Sequence, residues 1–195
     1  MFDSVVKKLE RAEYCLNTLN SLAEEARGFA HIPSDKQQEM RASLDSFFFE
    51  LVSAKDFFLQ AINDHYKLGL KKKEATDIDR LKSCLKCREI SSAGGVIEEI
   101  ARAFKDKNSW QWRVNNYRNA ATHRELLRLG YEINTNWNDA KVFLHKDPED
   151  PGQGNLDILG IEVIQYCEES LENMRNWLGK LYSQLGISSD NRGAG

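Results

Sequence analysis

Apolar residues recur along the first third of the chain in alternating steps of four and three. Val5, Leu9, Ala12, Leu16, Leu19, Ala23 and Ala26 form one series, and Met40, Leu44, Phe47, Leu51, Ala54, Phe58 and Ala61 form a second. That spacing keeps each series on one stripe of an α-helix, with polar positions opposite. The first pattern stops at Gly28, and Pro33 and Ser34 suit a new helix start. Two long antiparallel helices are therefore predicted. His65 extends the second stripe by one more step and is expected to be a hydrogen-bonded core residue.

Further along, KKKE at 71–74 reads as a solvated linker into a short helix, ATDIDRLKSCLKCREI, which ends in a turn-like SSAGG. An amphipathic helix is expected over 96–104, and Asn108 or Ser109 can cap the one after it. Gly130 follows LLRL as a helix stop. YEINT and KVFLH flank WNDA as a strand-like pair, so a small hairpin is predicted between about residues 131 and 145. HKDPEDPGQGN reads as loop. The last helix starts near Asn155 and carries Ile164, Cys167, Leu171, Met174, Leu178, Leu181 and Leu185 in the same three-four alternation. The expected fold is all-α: an antiparallel helical bundle with a small β-like hairpin before the last helix, one domain over 1–187 and a flexible tail at 188–195.

Composition changes this picture little. A chain of 195 residues, 41% hydrophobic and 29% charged, is long enough to bury one substantial core. Its net charge of −3 supplies no global pull toward nucleic acid or an anionic membrane, so any polyanion site has to be local. The first residues lack a positive segment followed by an apolar one, and no apolar run approaches the ~18 residues of a membrane span, so a cytoplasmic protein without a membrane partner is expected. Cys15, Cys84, Cys87 and Cys167 are scattered through predicted helices, as suits reduced, mostly buried thiols. Cys84 and Cys87 form a CxxC, but there is no second CxxC or HxxxH pair to complete a zinc site and no Glu-x-x-His for a carboxylate-bridged metal bundle. Asp147, Glu149 and Asp150 belong to a solvated loop with two prolines. No metal and no cofactor is expected.

The chemistry-bearing stretch is YRNAATHR at 117–124. On an unbroken helix the five residues from Arg118 to His123 turn about 140°, so the two point to different sides. Thr122, His123, Arg124 and Glu125 have the form of a capping box, which would end one helix near Ala121 and start a short one over 123–129. His123 would then sit in a helix's first turn, where free N–H groups and the positive end of the dipole favour an anion such as phosphate. Arg113, Arg118, Arg124 and Arg128 gather in a window that holds only Glu125 as an acid, interleaved with Trp110, Trp112 and Tyr117. Such a mixture suits a surface that stacks bases. It equally suits a helix with an aromatic core face and a wet basic face.

Arg118, Asn119 and His123 resemble the R-x4-6-H motif of the HEPN superfamily, with a polar residue directly after the arginine. The frame is similar too: long helices, the motif late in the chain, a loop or hairpin, then a long last helix. The resemblance implies a metal-independent endoribonuclease, in which two motifs meet across a homodimer axis and RNA is cut by attack of its own 2′-hydroxyl. It implies catalytic roles for Arg118, Asn119 and His123, with Arg113, Tyr117, Thr122 and Arg124 as contacts to single-stranded RNA. The same resemblance admits a non-catalytic module that binds RNA, a nucleotide or a protein, such as one half of a toxin and antitoxin pair. A purely structural bundle, with Arg118 paired to an acidic neighbour, is the third alternative.

Overall fold

The computed structural model describes residues 2–26, 32–123, 129–133, 140–145 and 160–187. Within them the chain is mostly helical: α1 (Phe2–Glu25), α2 (Ser34–His65), α3 (Lys72–Ala75), α4 (Ile78–Cys87), α5 (Ser91–Lys105), α6 (Trp110–His123) and α7 (Val163–Gln184). A three-stranded antiparallel sheet, β1 (Leu129–Ile133), β2 (Ala140–His145) and β3 (Gly160–Glu162), precedes α7. The predicted all-α bundle with a small hairpin before its last helix is the observed architecture. β1 pairs with β2 in a register that sets Tyr131 opposite Val142.

α1 and α2 form a long antiparallel hairpin, pinned by Lys8–Glu50 at 2.6 Å and Lys36–Glu25 at 2.8 Å. The predicted stripes are its seam, with one change. Leu22 is buried where Ala23 was expected, and Ala23 packs at the edge. α2 has a second buried stripe, Phe48, Val52, Lys55, Leu59 and Ile62, because it is enclosed by α6, α7, α3 and α4 as well as by α1. Phe48 stacks on Tyr117 of α6 with ring centroids 5.2 Å apart, and Tyr166 of α7 meets both rings. This aromatic triangle joins three helices at the height of the YRNAATHR stretch.

Several local expectations are corrected. His65 is exposed, its ring edge-on to Tyr66 at 4.7 Å. Since Lys8 lies opposite Glu50, the last turns of α2 run past the start of α1 and leave His65 without a cover. Lys71, Lys72 and Lys73 are exposed as predicted, yet 72–75 is a helical turn, started when the Glu74 carboxylate accepts the Lys71 N–H at 3.0 Å. SSAGG opens α5 and makes no turn. The reversal occurs earlier, at Glu89 with φ 56°, and burial of Ala93, Val96 and Ile97 offsets the poor helix propensity of Gly94 and Gly95. Gly130 is a strand residue paired with Phe143. α7 begins at Val163, where the Glu162 carboxylate accepts the N–H groups of Ile164 and Gln165. Residues 155–159, the acidic loop, residues 137–139 of the WNDA turn, Gly28 and the tail lie outside the described residues. Of the free thiols only Cys167 is fully buried, and Cys87 is exposed. No described helix is long and apolar enough to cross a membrane.

Candidate functional site

Ser109 caps α6: its hydroxyl accepts the Trp112 N–H at 3.0 Å and donates to the Ala103 carbonyl near the end of α5. It is one of the two caps, Asn108 or Ser109, that the sequence offered. Gln111, Val114, Tyr117 and Ala120 form the buried stripe of the helix. Tyr117 is 0% exposed and lies flat on Phe48. It therefore cannot stack a base, and the expectation that it contacts RNA is withdrawn. Trp110 is partly buried against Trp177, and Trp112 lies under the Lys107 ammonium. The aromatics of this window are thus largely packing residues, as the second reading of the pattern had it. Arg113 is half-buried near Tyr166: burial pushes that phenol up, and the Arg113 charge pulls the other way.

Arg118 is half-buried directly after the fixed Tyr117. Its Nη1 donates to Asn119 Oδ1 at 3.1 Å, and its Nε is buried without a hydrogen-bond partner among the described residues. Asn119 therefore orients the guanidinium, and the N–H at Nε is the buried donor without a partner among the described residues. An unpaired buried donor costs about 1–3 kcal/mol, which an acceptor brought to it would relieve.

Thr122 does not act as an N-cap. Its hydroxyl donates back to the Arg118 carbonyl at 2.7 Å, and α6 continues through His123. The break near Ala121 is overturned, because α6 runs through it; of the short helix expected over 123–129, Leu129 belongs instead to β1, and residues 124–128 lie outside the described residues. The physical reason is local: a threonine inside a helix can satisfy its hydroxyl on the carbonyl four residues back, in competition with capping. His123 is consequently the last described residue of α6 and does not stand in the first turn of a new helix. The anion-binding helix start expected there is absent. Arg124 and Arg128 lie outside the described residues.

Positions 118 and 123 are thus about 140° apart around one unbroken helix. Arg118 shares its face with Ala121 and Thr122, three and four residues on. That face borders a cavity of about 270 Å³ between α6 and α2, lined by Asp45, Ser46, Phe49, Glu50, Ala121 and Thr122. Burial pushes the Asp45 carboxyl up to about 6, against the opposing charge of Arg41 one turn before it. Its Oδ1 has no hydrogen-bond partner among the described residues. Glu50 is already paired with Lys8. Phe49 is 46% exposed, and the Lys8 ammonium sits 5.4 Å from its ring centroid.

The α2 side of this cavity was missed in the sequence, although a signal exists. Three consecutive phenylalanines, 47–49, cannot all face one core when successive residues turn about 100°. Phe47 and Phe48 take the two buried faces, so the third must project elsewhere. Comparisons with protein-family models, curated proteins and solved structures find no match in any of the three.

Proposed function

We propose that the chain is a HEPN-like, metal-independent endoribonuclease whose active site forms between two copies of the chain. The observation that carries this reading is the Arg118–Asn119 pair: a guanidinium fixed by its neighbour, with an unpaired buried donor, five positions before His123 on one helix. The geometry of one chain bears on the form of the site. Because positions 118 and 123 diverge around α6, a phosphate held by Arg118 meets a histidine only if a second copy supplies it.

The reaction then runs as follows. His123 takes the proton from an RNA 2′-hydroxyl as that oxygen bonds to the adjacent phosphorus. The bond from phosphorus to the 5′-oxygen breaks, and an imidazolium, on the same or the second copy, gives that leaving oxygen a proton. Arg118 neutralises charge gathering on the non-bridging oxygens with directed, charge-assisted hydrogen bonds. Asn119 keeps the guanidinium plane oriented. Arg113, Thr122 and Arg124 remain the candidate contacts along a single strand. The products are a 2′,3′-cyclic phosphate and a free 5′-hydroxyl.

The test is cleavage of an end-labelled oligoribonucleotide in the presence of a chelator, with the product ends identified. Cleavage that persists, yields a cyclic phosphate and stops at a 2′-deoxy position supports the reading. Products with a 5′-phosphate would exclude it.

A second reading follows from the same divergence. A chain acting alone can hold a phosphate through Arg118 without a proton-transfer group beside it, which describes a non-catalytic module that binds RNA, a nucleotide or a protein partner of the toxin and antitoxin kind. RNA binding by a monomer, without cleavage, would favour it.

A further inference from the structure

We infer that the cavity between α2 and α6 is a nucleobase pocket, in which a base stacks on Phe49 and gives its N–H groups to the Asp45 carboxylate, with guanine preferred. The inference rests on the reading of the protein as one that handles RNA, and it names the part of the substrate that the motif itself does not contact.

Three observations converge on it. Among the described residues only Tyr14 and Phe49 are exposed large hydrophobic side chains, and Phe49 lines the cavity. An aromatic ring left partly in water beside a concave site is a stacking platform, and every nucleobase offers a π-face to it. Secondly, Asp45 lines that cavity, and one oxygen of its carboxylate has no hydrogen-bond partner among the described residues. A carboxylate oxygen in this condition is free to accept a donor that a ligand brings. Thirdly, the cavity opens beside Ala121 and Thr122, on the α6 face that also carries Arg118, one helical turn or about 6 Å away.

The chemistry of the lining selects the occupant. A phosphate is repelled by Asp45 and Glu50, so the anionic part of a ligand belongs at Arg118 and the neutral part in the cavity. A cation has less to gain than two carboxylates suggest, because Lys8 already neutralises Glu50 at 2.6 Å. What remains is a flat, neutral group with N–H donors along one edge. Adenine and cytosine each present one amino group. Guanine presents a ring N–H and an amino group side by side, which match the two oxygens of one carboxylate. Ser46 and Thr122 are both exposed at the rim: the Ser46 hydroxyl can donate or accept, and the Thr122 hydroxyl, its proton held by the Arg118 carbonyl, can accept.

The test is calorimetric titration of the full chain with the 5′-monophosphates of guanosine, adenosine, cytidine and uridine. Guanosine monophosphate is expected to bind at least about tenfold more tightly than the others, the discrimination of a good bidentate pair. Asp45→Asn should abolish that preference. Phe49→Ala should weaken all four by roughly five- to a hundredfold, the loss of one stacked base, and Phe49→Leu, which keeps apolar bulk without a π-face, should weaken them as well. Equal binding of the four nucleotides, or guanosine monophosphate binding untouched by both Asp45→Asn and Phe49→Leu, overturns the pocket. The two readings fail separately. RNA cleavage without any guanine preference leaves the nuclease and removes the pocket, whereas guanine binding by a chain that cuts no RNA leaves the pocket and removes the nuclease.

Discussion

At Arg118 the side chain is oriented from two directions: by Tyr117, which is locked into the aromatic triangle, and by Asn119, which accepts one guanidinium N–H. A residue set in this way should be sensitive to shape as well as charge. Arg118→Lys keeps the charge but loses the planar fork, so it should lose RNA cleavage nearly as fully as Arg118→Ala, by about a hundred- to a thousandfold. His123→Ala should lose about a hundred- to ten-thousandfold. Melting temperature and cleavage rate measured on the same preparations separate these effects from unfolding. Asp45 gives a prediction of opposite sign in stability. Burial raises its pKa to about 6 in the folded chain, from an ordinary value of 3.8. The folded state therefore binds the proton more tightly, and the contribution of this group to stability declines as pH rises from about 4 to about 6, then levels off. Denaturant midpoints across that range should fall less steeply in Asp45→Asn than in wild type. Identical slopes would show that the carboxyl is not held in a desolvated site.

The helices were legible where a single stripe faces a single partner. The seam of α1 with α2 and the core positions of α7 follow the three-four alternation almost residue by residue, because one-sided burial is the condition that produces such a pattern. α2 defeated the same reasoning by being covered on two faces, so the stripe of Phe48, Val52, Leu59 and Ile62 was invisible and the Asp45–Phe49 wall with it. At α6 the difficulty was of another kind. Thr122 followed by Glu125 satisfies the pattern of a capping box, yet the hydroxyl bonds back to Arg118, a choice between two local hydrogen bonds that the sequence does not decide. At the other end of α6, Asn108 and Ser109 were both open as caps, and Ser109 takes the role. Ser109→Ala should destabilise the chain by about 1 kcal/mol through the lost cap at Trp112. Phe48→Ala should cost more, about 3–5 kcal/mol, since Phe48 is fully buried and joins α2 to both α6 and α7. Chemical denaturation measures both, and a Phe48→Ala cost below that of Ser109→Ala would contradict the central place given to α2.

On the scale of the whole molecule, the continuity of α6 turns a question about one helix into one about assembly. A single chain carries Arg118 and His123 on diverging sides of the helix, and a site that needs both requires a second copy related by a two-fold axis. The chain's net charge of −3 adds no general attraction for RNA, so the proposed binding rests on residues gathered at such a site. The most direct test is to measure RNA cleavage by a mixture of the Arg118→Ala and His123→Ala proteins, exchanged into mixed dimers, beside each protein alone and the wild type. The proposed composite site predicts that wild type cleaves, that each variant alone is nearly inactive, and that the mixture recovers part of the activity, because the intact arginine and the intact histidine then come from different chains. A mixture no more active than its components, or a wild-type protein that leaves RNA uncut, would contradict it.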